Sequence, residues 1–156
     1  ATGKFKGGLG DQSEATVKYH TATHLLHAAL RKILGTHVEQ KGSNINGERL
    51  RFDFSHPQAL AKEELSKVEA QINTWIEADL SVIKQVMSKQ AALDEGAIAF
   101  FIEKYPDEVS VYTINGISKE FCGGPHVNRI GEIGKIRLFK EQSCSAGVRR
   151  VYAKFK

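Results

Sequence analysis

His20 and His24 stand four residues apart in a segment that reads as a helix, and Cys122 and His126 stand four apart in a turn rich in glycine and proline, about a hundred residues later. No other feature constrains the fold as much. If these side chains meet, the C-terminal third must return to the first helix. Residues four apart differ by about 40° around a helix, so both imidazoles point to one side. In Cys122-Gly123-Gly124-Pro125-His126 the glycines permit a tight backbone and the proline fixes it. A thiolate and an imidazole can then turn toward one point. Each half alone is weak, since helical histidines are commonly surface or core residues and a lone cysteine is commonly a small buried hydrophobe. Together they supply four ligands whose mixed sulfur and nitrogen chemistry favours zinc over magnesium or calcium. The expectation is one zinc ion held by His20, His24, Cys122 and His126. No glutamate follows the first histidine, so this is not the zinc-protease pattern.

The helix carrying the first pair has clear ends. Ser13 is a plausible N-cap and Gly35 a good residue just past the C-terminus. Leu25, Leu26, Ala29, Leu30 and Ile33 form one arc, His20, His24 and His27 form another, and Thr23 lies at the border. The histidines are thus expected beside the buried stripe. His37 to Asn44 reads as extended, Gly42 to Gly47 as turn-rich, and Arg49 to Phe54 as an alternating, half-buried strand, together suggesting a hairpin. A helix is expected from Leu60 to Leu80, a strand from Ser81 to Met87, and a short helix capped by Ser88 and ending at Gly96. Val109 to Ile114, Lys135 to Phe139 and Val148 to Phe155 complete the strands, the last two joined through Ser143 to Gly147. This order predicts an α+β domain, with helices on a mostly antiparallel sheet and the metal between the first long helix and the Cys-Gly-Gly-Pro-His loop. Residues 1–12, with four glycines, read as a flexible segment or linker before a domain spanning 13–156.

The 156 residues suffice for one domain with a real core. No apolar stretch is long enough to cross a bilayer, and no charged-then-apolar leader opens the sequence. Two cysteines make no disulfide framework, so reduced thiols and a cytoplasmic location are expected. Cys144 reads as structural, in a turn away from any partner. His37 and His56 have no evident partners, and His27 reads as support or packing. The net charge of +4 is compatible with a phosphate-bearing partner and does not demand one.

The strings His20-Thr-Ala-Thr-His24-Leu-Leu-His27, Gln40-Lys-Gly-Ser43, Arg49-Leu-Arg-Phe-Asp-Phe54, Cys122-Gly-Gly-Pro-His126 and Ala146-Gly-Val-Arg-Arg150 closely resemble the editing domain of alanyl-tRNA synthetase. The same domain occurs in freestanding alanyl-tRNA editing proteins, and a related one in threonyl-tRNA synthetase. The likeness runs from about Thr16 to Phe155. One departure is Pro125, where the family string has threonine; it changes no ligand. The resemblance implies a hydrolase that removes serine or glycine wrongly attached to the 3′ end of alanine tRNA. Nothing here resembles an ATP-binding core, so the chain is not expected to aminoacylate by itself. The resemblance implies either an excised synthetase domain or a freestanding editor, and the long match to the synthetase-embedded form favours the former. By the same resemblance Gln40 belongs to the substrate pocket. A hydroxyl at Thr23 would bond the serine hydroxyl that alanine lacks, a form of discrimination stronger than an apolar pocket gives. Four protein ligands close a tetrahedral shell, the usual structural arrangement. Catalysis would then need a loosened ligand, a fifth one, or a pocket group that positions water. RNA contacts are expected from Lys18, Lys41, Arg49, Arg51, Arg149 and Arg150. The last two are adjacent on a strand, so one can face phosphate while the other joins an internal ion pair. Competing expectations are a non-catalytic tRNA-binding module with structural zinc, and a threonyl-type editor.

Overall fold

The computed structural model describes residues 13–99 and 105–156. The expected linker at 1–12 lies outside them. Helix α1 (Glu14–Leu34) starts where Ser13 accepts a hydrogen bond from the Thr16 amide and stops at Gly35, whose φ of 128° is closed to most side chains. Then come β1 (Gln40–Ile45), β2 (Leu50–Ser55), α2 (Lys62–Ala78), β3 (Val82–Ser88), α3 (Lys89–Asp94), β4 (Glu108–Ile114), β5 (Ser118–Phe121), a 3₁₀ turn (Ile130–Ile133), β6 (Ile136–Ser145) and β7 (Val148–Phe155). The helices pack on antiparallel strands, as expected. The strands divide into two sheets: a large one in the order β1-β2-β7-β6 and a small one in the order β3-β4-β5.

The alternation in β2 does what its pattern requires. Leu50, Phe52 and Phe54 are fully buried against α1, with Leu25, Leu26, Ala29 and Leu30 on the opposing helix face. Val68, Ile72 and Ile76 bring α2 onto the same core. Tyr19 ties the start of α1 to the end of β7. Its ring stacks on Phe155 at 4.1 Å, and its hydroxyl donates to the Glu48 carbonyl and accepts from the Phe155 amide. Asn73 of α2 bonds both the amide and the carbonyl of Ile136, at 2.9 Å each. A side chain thus occupies backbone groups at the start of edge strand β6.

Two expectations need correction, and one strand was not expected at all. The span Gly42 to Gly47 is mostly strand, because Gly42 pairs opposite Asp53, where an added Cβ would come within 3.1 Å of the carboxylate. The turn is confined to Asn46–Arg49, where the Asn46 side chain accepts from the amides of Glu48 and Arg49. Strand β6 runs on past Phe139 to Ser145, carrying polar residues whose pairing with β7 no apolar alternation announces. Strand β5, four residues long, has no pattern of its own and exists through pairing with β4.

Candidate metal centre

Helix α1 presents His20 and His24 toward the loop that leaves β5, and that loop presents Cys122 and His126. Their ligand atoms all lie within 4.8 Å of one another. Two of these contacts are close: His20 Nε2 and His126 Nε2 each stand 3.3 Å from Cys122 Sγ. The loop is shaped by Gly124, whose φ of 69° is left-handed and whose position admits no Cβ, because one would collide with the Tyr112 hydroxyl. The Tyr112 ring in turn packs edge-on against His126 at 4.3 Å.

The far side of each imidazole shows what the near side is for. His20 Nδ1 faces the Pro125 carbonyl at 2.8 Å, His24 Nδ1 faces Glu120 at 3.0 Å, and His126 Nδ1 faces the Thr21 hydroxyl at 2.9 Å. A carbonyl and a carboxylate can only accept, so the first two rings carry their proton on Nδ1. The Thr21 oxygen donates to the Val17 carbonyl and accepts from the Val127 amide. With that proton directed to Val17, the oxygen accepts from His126, an assignment of the His126 proton to Nδ1 that leaves its Nε2 toward the sulfur. Three Nε2 lone pairs and one sulfur therefore converge on a single point. Converging lone pairs repel unless something positive sits among them, and this donor set fits a metal ion.

The side chains of the cluster also shift one another's ionisation strongly. Burial works against charge on Cys122, yet the imidazoles around the sulfur, led by His126 and His20, hold its pKa well below the usual thiol value. Burial would lower the pKa of His24, but the Glu120 carboxylate reverses this and lifts it well above the ordinary imidazole. His126, buried and repelled by His24, falls to about 3. Burial would raise the pKa of Glu120, and it is instead held far below the carboxylate range by the charge of His24 and by hydrogen bonds from His24 and His27. A divalent cation that replaced the His24 proton would, with the Cys122 thiolate and the Glu120 carboxylate, make an electrically balanced buried centre.

Glu120 and Thr21 escaped sequence reasoning. Glu120 is one charged residue in a short strand, and Thr21 sits on α1 between the two histidines, but only the folded chain brings each to its partner. Thr23 is buried beside the ligands, and its hydroxyl donates to the Tyr19 carbonyl at 2.9 Å, leaving its lone pairs to accept. Gln40 is half-buried on β1 and its amide donates to Ser43 of the same strand. His27 donates to Glu120 at 3.4 Å. Cys144 lies within β6 rather than in a turn, exposed and 3.4 Å from Arg150, and both cysteines are free thiols. His37 and His56 are partners of each other, at 2.7 Å.

The basic residues are mostly engaged. Lys18 pairs with Glu14 and Lys41 with Glu39. Arg49 donates to the Asn44 carbonyl, and Arg51 pairs with Asp53. Arg149 and Arg150 face opposite sides of β7, but the expected division of labour is not what the strand shows. Both form two-pronged ion pairs, Arg149 with Glu141 and Arg150 with Asp53, because β6 and β2 each bring a carboxylate alongside.

Residues 109–152, which hold Glu120, Cys122 and His126, match the threonyl and alanyl tRNA synthetase second additional domain. The chain is 58% identical over 149 residues to an alanine–tRNA ligase of Treponema pallidum, covering 96% of this chain and 25% of that one. The chain belongs to this alanyl-tRNA synthetase domain family. Relatives in Chlorobaculum tepidum, at 52% identity over 92% of the chain, and Thermotoga petrophila, at 49% over 90%, carry the same name, alanine–tRNA ligase. The chain spans between about a sixth and a quarter of the length of these ligases. As a member of the family it has the fold expected of the resemblance, helices on antiparallel strands with the His/Cys cluster between α1 and the Cys122 loop. No helix among the described residues is long and apolar enough to cross a membrane.

Proposed function

We propose that this synthetase domain hydrolyses serine or glycine wrongly esterified to alanine tRNA, in the cytoplasm, with zinc held by His20, His24, Cys122 and His126. The supporting observation is the oxygen acceptor behind each imidazole, which aims three Nε2 lone pairs and the Cys122 sulfur at one point. A tetrahedral zinc with ordinary bond lengths has nitrogen–sulfur edges of about 3.5 Å, close to the 3.3 Å contacts of this cluster. When bound, zinc supplies Lewis acidity and can lower the pKa of a water. The protein residues do the selecting. The Thr23 hydroxyl donates its hydrogen bond to the Tyr19 carbonyl, so its oxygen is free to accept from the substrate serine hydroxyl. Alanine has no donor to offer it, so this bond selects serine; glycine, which lacks the hydroxyl too, is not selected by it. Gln40, with an amide that can give and receive, orients the ester or the water. Arg49 and Arg51, with Lys18 and Lys41 at the periphery, contact tRNA; Arg149 and Arg150 hold the scaffold through their carboxylates.

The test is to incubate the protein with serine-charged alanine tRNA and serine-charged threonine tRNA, with and without a chelator. Chelator-sensitive ester loss from the alanine tRNA alone is the expected result. Loss only from the threonine tRNA would make this a threonyl-type editor. No loss from either would leave a tRNA-binding module whose metal is structural.

A further inference from the structure

The outer face of the large sheet carries an unbalanced charge. The residues of β2, β6 and β7 that point away from the core include Arg51, Arg137, Lys140, Arg150 and Lys154, joined by Arg49 at the start of β2. Asp53 is the acid among them, and it is committed to Arg150 and Arg51. Among the described residues of β2, β6 and β7, with Arg49, six cations on this face stand against one carboxylate. The aromatic rings on this face explain how the cations are held. Tyr152 lies beneath both Arg49, at 5.9 Å, and Lys140, at 5.4 Å, and Phe139 lies beneath Lys154 at 4.8 Å. The two rings meet at 5.9 Å. A carboxylate partner would fix a cation and cancel its charge; an aromatic ring fixes it and leaves the charge in place. Phe139 is 41% exposed, unusual for so large an apolar side chain.

We propose that this face binds the phosphate backbone of RNA, with Arg49, Arg137, Lys140 and Lys154 as phosphate contacts and Tyr152 and Phe139 as the platform that spaces them. The identity of the anion rests on the proposed tRNA substrate; the anionic character of the partner rests on the face alone. Uncompensated cations arrayed over aromatic rings suit a repeating polyanion. The surface lies outside the metal centre, so it contributes affinity and orientation rather than chemistry.

The experiment measures binding of the 156-residue chain to an uncharged alanine tRNA across a salt series. One variant carries Arg137→Gln, Lys140→Gln and Lys154→Gln. A control loses the same charge elsewhere through Lys62→Gln, Lys67→Gln and Lys84→Gln, all exposed positions on α2 and β3. The face variant should lose at least about tenfold in affinity, and its salt slope should become shallower by about 2. The control should stay within about twofold. Single variants at Lys140 and Lys154, each with part of the loss, cover the case in which the triple variant misfolds. Equal losses in both triples, unchanged affinity in the face variant, or no RNA binding by the unaltered chain would overturn the proposal; unchanged affinity would point to a protein surface as the partner. Because the RNA carries no ester, the outcome is independent of the deacylation test.

Discussion

Glu120 and Asp53 are each 5% exposed, one in the small sheet and one in the large, and their partners differ in kind. Asp53 meets two guanidinium groups, which carry their charge at every working pH. The pair is closed: it needs nothing further, and it locks β2 to β7. Glu120 meets two imidazoles, which are charged only when protonated. It orients His24 and leaves that ring's other nitrogen facing Cys122 and the neighbouring histidines. The same chemical group, equally buried, thus makes a scaffold joint in one place and a support for a ligand cluster in the other. What separates them is whether the partner has a second functional end.

The largest effect should follow from removing the charge that supports the cluster. Glu120→Gln keeps the shape but can no longer accept from both histidines, and metal affinity should fall by about 10- to 100-fold, read by competition with a chromophoric chelator. Unaltered affinity would place Glu120 with Asp53 as a scaffold group. Thr21→Val removes the acceptor behind His126 and should cost about tenfold in the same assay. Asp53→Asn should do the reverse, lowering the melting temperature by a few degrees at unchanged metal content. Loss of metal from that variant would erase the contrast between the two acids.

The smallest effect concerns a histidine pair outside the centre. Burial, with His37 beside it, lowers the pKa of His56 from the ordinary imidazole value near 6.5. The unfolded chain then binds the proton more readily, so this contribution to stability is complete above that pH and is lost as pH falls below it. Urea midpoints measured at pH 8 and pH 5.5 should separate less in His56→Gln than in the unaltered chain. An identical separation in both would show that the pair carries no such linkage.

Much of the fold was legible because its signals are local. Ser13 caps one helix and Ser88 another by bonds to amides three residues on. The two ligand pairs were legible for the same reason, each spanning a single turn of chain. Strand β5 and the second half of β6 were not, since their existence depends on neighbours that no window of sequence contains. The pairing of His37 with His56 shows the same limit.

The sequence by itself determined which side chains could chelate, which face of α1 is apolar, and where the principal helices begin and end. These follow from dihedral preferences and periodicity over a few residues. Only the tertiary structure decided which atoms of those ligands point inward. That choice belongs to the acceptors behind them: Thr21, far along the chain from His126, Glu120, nearly as far from His24, and the Pro125 carbonyl opposite His20. It also decided that Arg149 and Arg150 are both held by carboxylates while Lys140 and Lys154 stand over aromatic rings. A hydrogen bond or ion pair across a sheet depends on register, and register is settled when the whole core closes.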